Sequence, residues 1–106
     1  MIHPREIEIL NILWKAGRPL ASFEIIEEGN RMSQSTVQAV LRKLLKEGLV
    51  ETDGVVYSRN VLSRTFRPVP KTREIIQEQI LTEIEGAKYI LGEEKAQEIR
   101  KILDIK

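Results

Sequence analysis

Gly48 separates two hydrophobic periods. Before it, in MSQSTVQAVLRKLLKEG (residues 32–48), Val37, Leu41, Leu44 and Leu45 recur at helical steps with Val40 beside them, which places them on one side of a helix. After it, LVETDGVVYS and VLSRTFRPV are rich in Val, Tyr, Thr and Phe with partial alternation, the pattern of paired strands. Ser33 is a good N-cap for the helix and Gly48 a suitable stop. The hairpin has two candidate breaks: a turn at Arg59-Asn60, or a turn or bulge at Asp53-Gly54. Pro68 and Pro70 then interrupt pairing and mark a junction.

Two helices precede this pair of patterns. Residues 4–16 start with a proline, which costs nothing in a first helical turn. They carry Ile7, Leu10, Leu13 and Trp14 as an apolar stripe, with Trp14 predicted to sit in the core. Gly17 ends that helix and GRPLA turns the chain. A short second helix begins at Ser22, which can cap it, buries Phe23, Ile25 and Ile26, and stops at Gly29-Asn30. Three helices followed by a hairpin describe a winged helix-turn-helix, mainly α with a small β-hairpin.

Beyond residue 70 the chain is helical again. Ile76, Ile80, Ile84, Ala87 and Leu91 fall at steps of four, four, three and four, with Gly86 as a weak point. A last helix over roughly residues 93–104 turns Ala96, Ile99, Ile102 and Leu103 to one side. The reading is therefore a domain over residues 1–70 and a helical region over 71–106. The stripe has no obvious burial site in a three-helix core already supplied with apolar residues, so a second copy of the chain is its simplest cover. The alternative folds these helices back on their own domain.

Composition narrows the function classes. No cysteine is present, so disulfides, thiolate metal sites and cysteine catalysis are excluded, as fits a cytoplasmic protein. No apolar run reaches the length of a membrane span, and MIHPREIEIL has no secretion signal. Catalysis has almost no support: His3 stands by itself at a terminus, there is no phosphate-binding glycine loop, and no carboxylate pair stands clear of ordinary helix-surface positions. His3 reads as a terminal or capping residue. No metal ligand set, cofactor or small-molecule effector is indicated.

Charge is more informative in its distribution than in its sum. The chain carries +1, yet residues 31–73 hold nine cations against three carboxylates, or +6. A basic middle between acidic ends is expected where one surface meets phosphate, although a solvated cationic face gives the same count. Residue types sharpen the reading. The first turns of the third helix hold Ser33, Gln34, Ser35, Thr36, Gln38 and Ala39. Gln pairs with adenine, hydroxyls bond several base edges, and a Thr or Ala methyl meets the thymine methyl in the major groove. Arg42 and Lys43 lie further along, suited to phosphates, as does Lys46. Arg59, Asn60 and Arg64 sit on the hairpin, where they suit backbone or minor-groove contacts. Double-stranded DNA is the partner these residues suggest. The competing reading is a winged-helix module that binds another protein, which would want an apolar face on the third helix.

At this point the sequence resembles a known family. REIEILNILWKAGRPLASFEIIEE followed by MSQSTVQAVLRKLLKEGLVE is similar to the penicillinase-repressor family of bacterial transcription regulators (the BlaI/MecI/CopY type). That family shows an apolar first helix with a Trp, a Gly-Pro-type turn, then W-S-x-K-T-[VI]-x-T-L-L-x-R-L-x-x-K-G. Here Met32 takes the Trp place, while Ser33, Thr36, Val37, Leu41, Leu44 and Gly48 match, and RTFRPV resembles the family's Y-x-P-[LV] segment. The resemblance covers residues 5–69 well and the tail in layout only. It implies a homodimer joined through C-terminal helices, bound to a palindromic operator and repressing transcription. With the stripe above, it assigns dimer contact to Ile76, Ile80, Ile84, Ala87, Leu91, Ile99, Ile102 and Leu103. Ser35, Gln38 and Ala39 depart from the Lys, cation and Thr common in the family, which leaves the operator sequence open and shifts more of the expected affinity to the wing. The cysteine-rich tail of the copper-responsive branch and the Asn-Phe bond cleaved in the antibiotic-responsive branch are both missing from this sequence, so neither switch carries over.

Overall fold

The computed structural model describes residues 3–29, 32–58 and 60–104, the side chains of the last two excepted. It divides into two compact units, Ile2–Thr72 and Arg73–Lys106. In the first, helix α1 (Pro4–Ala16) starts on its proline and stops at Gly17, whose φ of +67° is the left-handed conformation glycine adopts without strain. Its buried residues are Glu6, Ile9, Leu10 and Leu13. This corrects the predicted stripe: Ile7 is half-buried and Trp14 is 40% exposed rather than in the core. The reason is Glu6. A buried carboxylate belongs to the inner face, and a stripe counted from apolar residues alone is centred too far round the helix.

Strand β1 (Leu20–Ala21) and helix α2 (Ser22–Glu28) follow directly. Ser22 does not cap α2, contrary to expectation. Ala21 occupies that position, and its N–H donates to Glu24 Oε1 at 2.9 Å. A glutamate three residues into a helix can reach back to the cap in this way. Helix α3 (Gln34–Lys46) is capped by Ser33, whose Oγ accepts from the Thr36 N–H at 3.1 Å. Val37, Leu41 and Leu44 are buried and Val40 half-buried, while Leu45 is 37% exposed and so lies outside the core stripe it was assigned to. At the far end Gly48 takes φ +75°, and the Leu49 N–H returns to the Leu44 carbonyl at 2.9 Å. That closure turns the chain straight into the sheet.

Strands β2 (Val50–Ser58) and β3 (Val61–Pro68) form the hairpin, and β1 joins it in the order β1-β3-β2, all antiparallel. The third strand was not legible in GRPLA because two residues are too few to display a period. Both candidate breaks are used. The strands turn between Ser58 and Val61, with Asn60 at φ +66°; Arg59 lies outside the described residues. The register then shifts by one between Thr52 and Val55, where Gly54 has φ +86° and Thr65 Oγ1 donates to the Asp53 carbonyl. This is a bulge: Asp53 and Gly54 together oppose Thr65. Leu20, Ile25, Leu49 and Val50 complete the core with the helices. Thr72 closes the unit, donating from Oγ1 to the Leu49 carbonyl at 2.6 Å.

In the second unit α4 (Thr72–Gly86) is followed by a short α5 (Lys88–Leu91) and by α6 (Glu93–Asp104). The break at Gly86-Ala87 corrects the continuous stripe, since Ala87 and Leu91 no longer share a helix with Ile76, Ile80 and Ile84. Glycine is a poor helix former, and Ala87 leaves helical geometry at φ −104°. Ile84 and Ala96 are buried, Ile76, Ala87 and Ile99 half-buried, and Ile80, Leu91 and Ile102 exposed. The Leu103 side chain lies outside the described residues. Glu85 forms ion pairs with Lys88, at 3.7 Å, and with Arg100.

Candidate nucleic-acid interface

Helix α3 presents one polar side. At about 100° per residue, Gln34, Ser35, Gln38, Ala39, Arg42 and Lys46 fall in an arc of roughly 140° opposite Val37, Leu41 and Leu44. All six are exposed, and Leu45 is the one large apolar side chain within the arc. Thr36 lies on the flank of this arc and is half-buried. Its hydroxyl accepts from Ser33 Oγ at 2.9 Å, and Ser33 Oγ also lies 3.2 Å from Ser35 Oγ. The three hydroxyls therefore fix the start of the helix as well as facing outward. Gln amides and hydroxyls so arranged can bond base edges without ionising.

The sheet brings a second element to this side. Ser22, Gln38, Leu41, Arg42, Leu45, Ser63, Arg64 and Phe66 line one open cleft of about 260 Å³. Arg42 from α3 and Arg64 from β3 thus share its walls. Neither guanidinium has an ion-pair partner among the described residues, so both charges add to the field over the cleft. Leu45, Ser63 and Phe66 are the residues sequence reasoning missed here. Phe66 does stand two positions from Arg64, a same-face spacing on a strand, but only the register makes that spacing meaningful.

Lys43 behaves differently from its neighbours. Its Nζ donates to Glu6 Oε1 at 2.7 Å, and the His3 N–H reaches the same oxygen at 3.4 Å. Glu6 is 2% exposed, and its Oε2 is buried without a partner among the described residues. Burial pushes this carboxyl up, but the Lys43 ammonium, the His3 N–H and, least, a side-chain hydrogen bond with Glu47 together outweigh it and hold the group below its ordinary 4.5. The folded state therefore binds this proton less tightly than the unfolded chain. The stability it contributes is complete above pH 4.5 and is lost as pH falls through the depressed value. Glu24 contributes with the same sign, held low chiefly by the Ala21 N–H. We expect thermal midpoints to fall between pH 5 and pH 3, and less steeply in Lys43→Gln, where burial acts on Glu6 with only the His3 and Glu47 contacts against it. Equal slopes in the two proteins would remove Lys43 from this account.

No group of His, Cys, Asp or Glu that could hold a metal ion occurs among the described residues, and none of their helices is long and apolar enough to cross a membrane.

The arrangement is that of a winged helix-turn-helix: α2 and α3 form the paired helices, with β2 and β3 as the wing. Solved structures with this fold are similar to the chain. A PadR family transcription regulator from hypervirulent Clostridium difficile matches with TM-score 0.57 and 14% identity, over 86% of this chain and 97% of that one. A MarR family transcriptional regulator from Silicibacter pomeroyi matches at 0.56 and 18%, over 96% and 66%. The reduced form of the regulator YodB from B. subtilis matches at 0.53 and 17%, over 83% and 92%. Comparison with curated proteins gives no match. The profile of the penicillinase repressors matches residues 2–80. The chain belongs to the penicillinase repressor family, and is a DNA-binding transcriptional regulator.

Proposed function

We propose that the chain acts as a homodimeric repressor, each copy laying α3 in the major groove of one half of a pseudo-palindromic operator. The observation that carries this reading is the shared cleft, where Gln38 and Arg42 of α3 and Arg64 of the wing face the same space over an apolar floor that includes Leu41, Leu45 and Phe66. A helix fits the major groove, and residues of its first turns meet base edges. Gln34, Ser35, Thr36, Gln38 and Ala39 are then the readers, with Ser33 holding the helix start. Arg42 and Arg64 bind phosphate, joined by Asn60 and Arg59 at the wing turn. Lys43 serves the same phosphates only to the extent that Glu6 releases it.

The unit Ile2–Thr72 would bind DNA and Arg73–Lys106 would join two copies. Ile80, Leu91 and Ile102 from the expected set are exposed there, and so are Tyr89 and Ile90, so a partner chain can cover apolar surface that the unit leaves in water. Two-fold symmetry of the protein then requires two-fold symmetry of the site. A cytoplasmic location follows from this role. The rival protein-binding module would want an apolar α3 face, and the polar arc on α3 supports the DNA reading over it.

The test is fluorescence anisotropy on duplexes recovered by selection from genomic DNA. Binding should weaken steeply with salt, and Gln38→Ala should reduce discrimination at one base pair per half-site by about 1–3 kcal/mol. A failure to enrich any duplex, or binding indifferent to salt, would end the proposal.

A further inference from the structure

The wing carries more apolar surface than phosphate contact requires. Tyr57 is 77% exposed and Leu62 54%, and they are cross-strand partners. Side chains on a strand alternate between faces, so the register puts Phe66, Arg64 and Leu62 on one face of β3, with Val55 and Tyr57 opposite them on β2. At its root this face is the one that bears Leu20 and Val50, both buried. Further out it borders the α3 cleft through Phe66 and Arg64, while Ser63 of the opposite face also reaches that cleft. Further still it leaves the domain and ends in Tyr57 and Leu62. The apolar pair therefore continues the surface that α3 presents.

Charge decides what could cover it. From Gly54 to Phe66 the sequence contains no carboxylate, and the path from α3 to the tip passes Arg42 and Arg64. A polyanion fits that path; an ordinary mixed-charge protein surface does not match it as well. Spacing agrees. Two residues of strand put Leu62 about 7 Å beyond Arg64, comparable with the minor-groove width of about 6 Å. An arginine on a phosphate would leave the next pair on its face over the adjoining groove.

We propose that Tyr57 and Leu62 enter the minor groove beside the major groove held by α3, wedge between two base pairs and bend the duplex. Apolar side chains inserted at a base step unstack it and kink the helix toward the major groove, most easily at TA and CA steps. The inference rests on the DNA reading above, and its failure is separable from the failure of that reading.

The experiment uses the full chain and a duplex recovered by genomic selection, with 2-aminopurine at successive steps and a donor–acceptor pair at the ends. Wild-type protein should raise 2-aminopurine emission several-fold at one step per half-site and bring the ends together. Tyr57→Ser with Leu62→Ser should abolish both signals while the protein still binds, and Tyr57→Phe with Leu62→Met should keep them; circular dichroism verifies that each variant is folded. A bound duplex that stays straight and stacked overturns the wedge and leaves DNA binding intact. So does a serine variant that retains the signals. If instead the serine variant loses a self-association seen by sedimentation while the bound duplex is unaltered, the pair is a protein contact and the wedge is overturned. If no duplex binds at all, both readings fall together.

Discussion

Replacing Arg42 and Arg64 together with alanine should flatten the salt dependence of DNA binding by about two log units per log unit of salt for each chain. Each phosphate contact contributes a slope of about 0.9, equivalent to roughly eightfold in affinity between 1 M and 0.1 M salt. Losing two such contacts lowers affinity on the order of sixtyfold per module at 0.1 M. The ranking of DNA sequences should hardly change, because phosphate contacts carry no base information. Both side chains are exposed and lack ion-pair partners among the described residues, so folding should be affected within about 0.5 kcal/mol. Anisotropy titrations at four or five salt concentrations decide it: an unchanged slope would take the cleft out of the interface.

The second large effect concerns the helix behind that cleft. Leu44→Ala should cost about 2–5 kcal/mol, since the side chain is wholly buried and its removal leaves a cavity. Alanine is the better helix former, so α3 itself is not weakened; what is lost is its anchorage to the core. Small domains have only about 5–15 kcal/mol in hand, and the thermal midpoint should drop by more than about 10 °C. Leu45→Ala, one position on and 37% exposed, should cost less than half as much while altering the cleft it lines. Similar melting temperatures for the two variants would contradict the orientation of α3 described above.

That pair of leucines marks how far the sequence could be read. Helical spacing found α3, its cap and its stop, because the apolar period, Ser33 and Gly48 are local signals. It did not separate Leu44 from Leu45, since adjacent residues at the edge of a stripe differ only in what packs against them. The same limit displaced the α1 stripe: Glu6 is inward because Lys43, 37 residues away in sequence, meets it. Trp14, the largest apolar side chain, was pulled into the predicted core by its chemistry and lies on the rim by its angle. In the hairpin both turn signals were visible, but they could be weighed only as rivals. Asn60 and Gly54 have separate tasks, one reversing the chain and the other shifting its register. The gathering of Gln38, Arg42 and Arg64 about one cleft depended on that register and could not be read from spacing.

The bulge at Asp53-Gly54 also constrains how such a wing can vary over generations. Asp53 and Gly54 together stand opposite Thr65, so losing one of them would restore strict alternation along β2 and keep the distal pairs on their faces. It would also remove the local bend and extra twist that a bulge gives the strand. Tyr57 would still lie beside Leu62, on a ribbon aimed in another direction. Residues gained or lost in matched numbers on both strands at the far end would merely make the ribbon longer or shorter. Length is thus negotiable at the tip, while at the root a single codon decides where the tip is aimed.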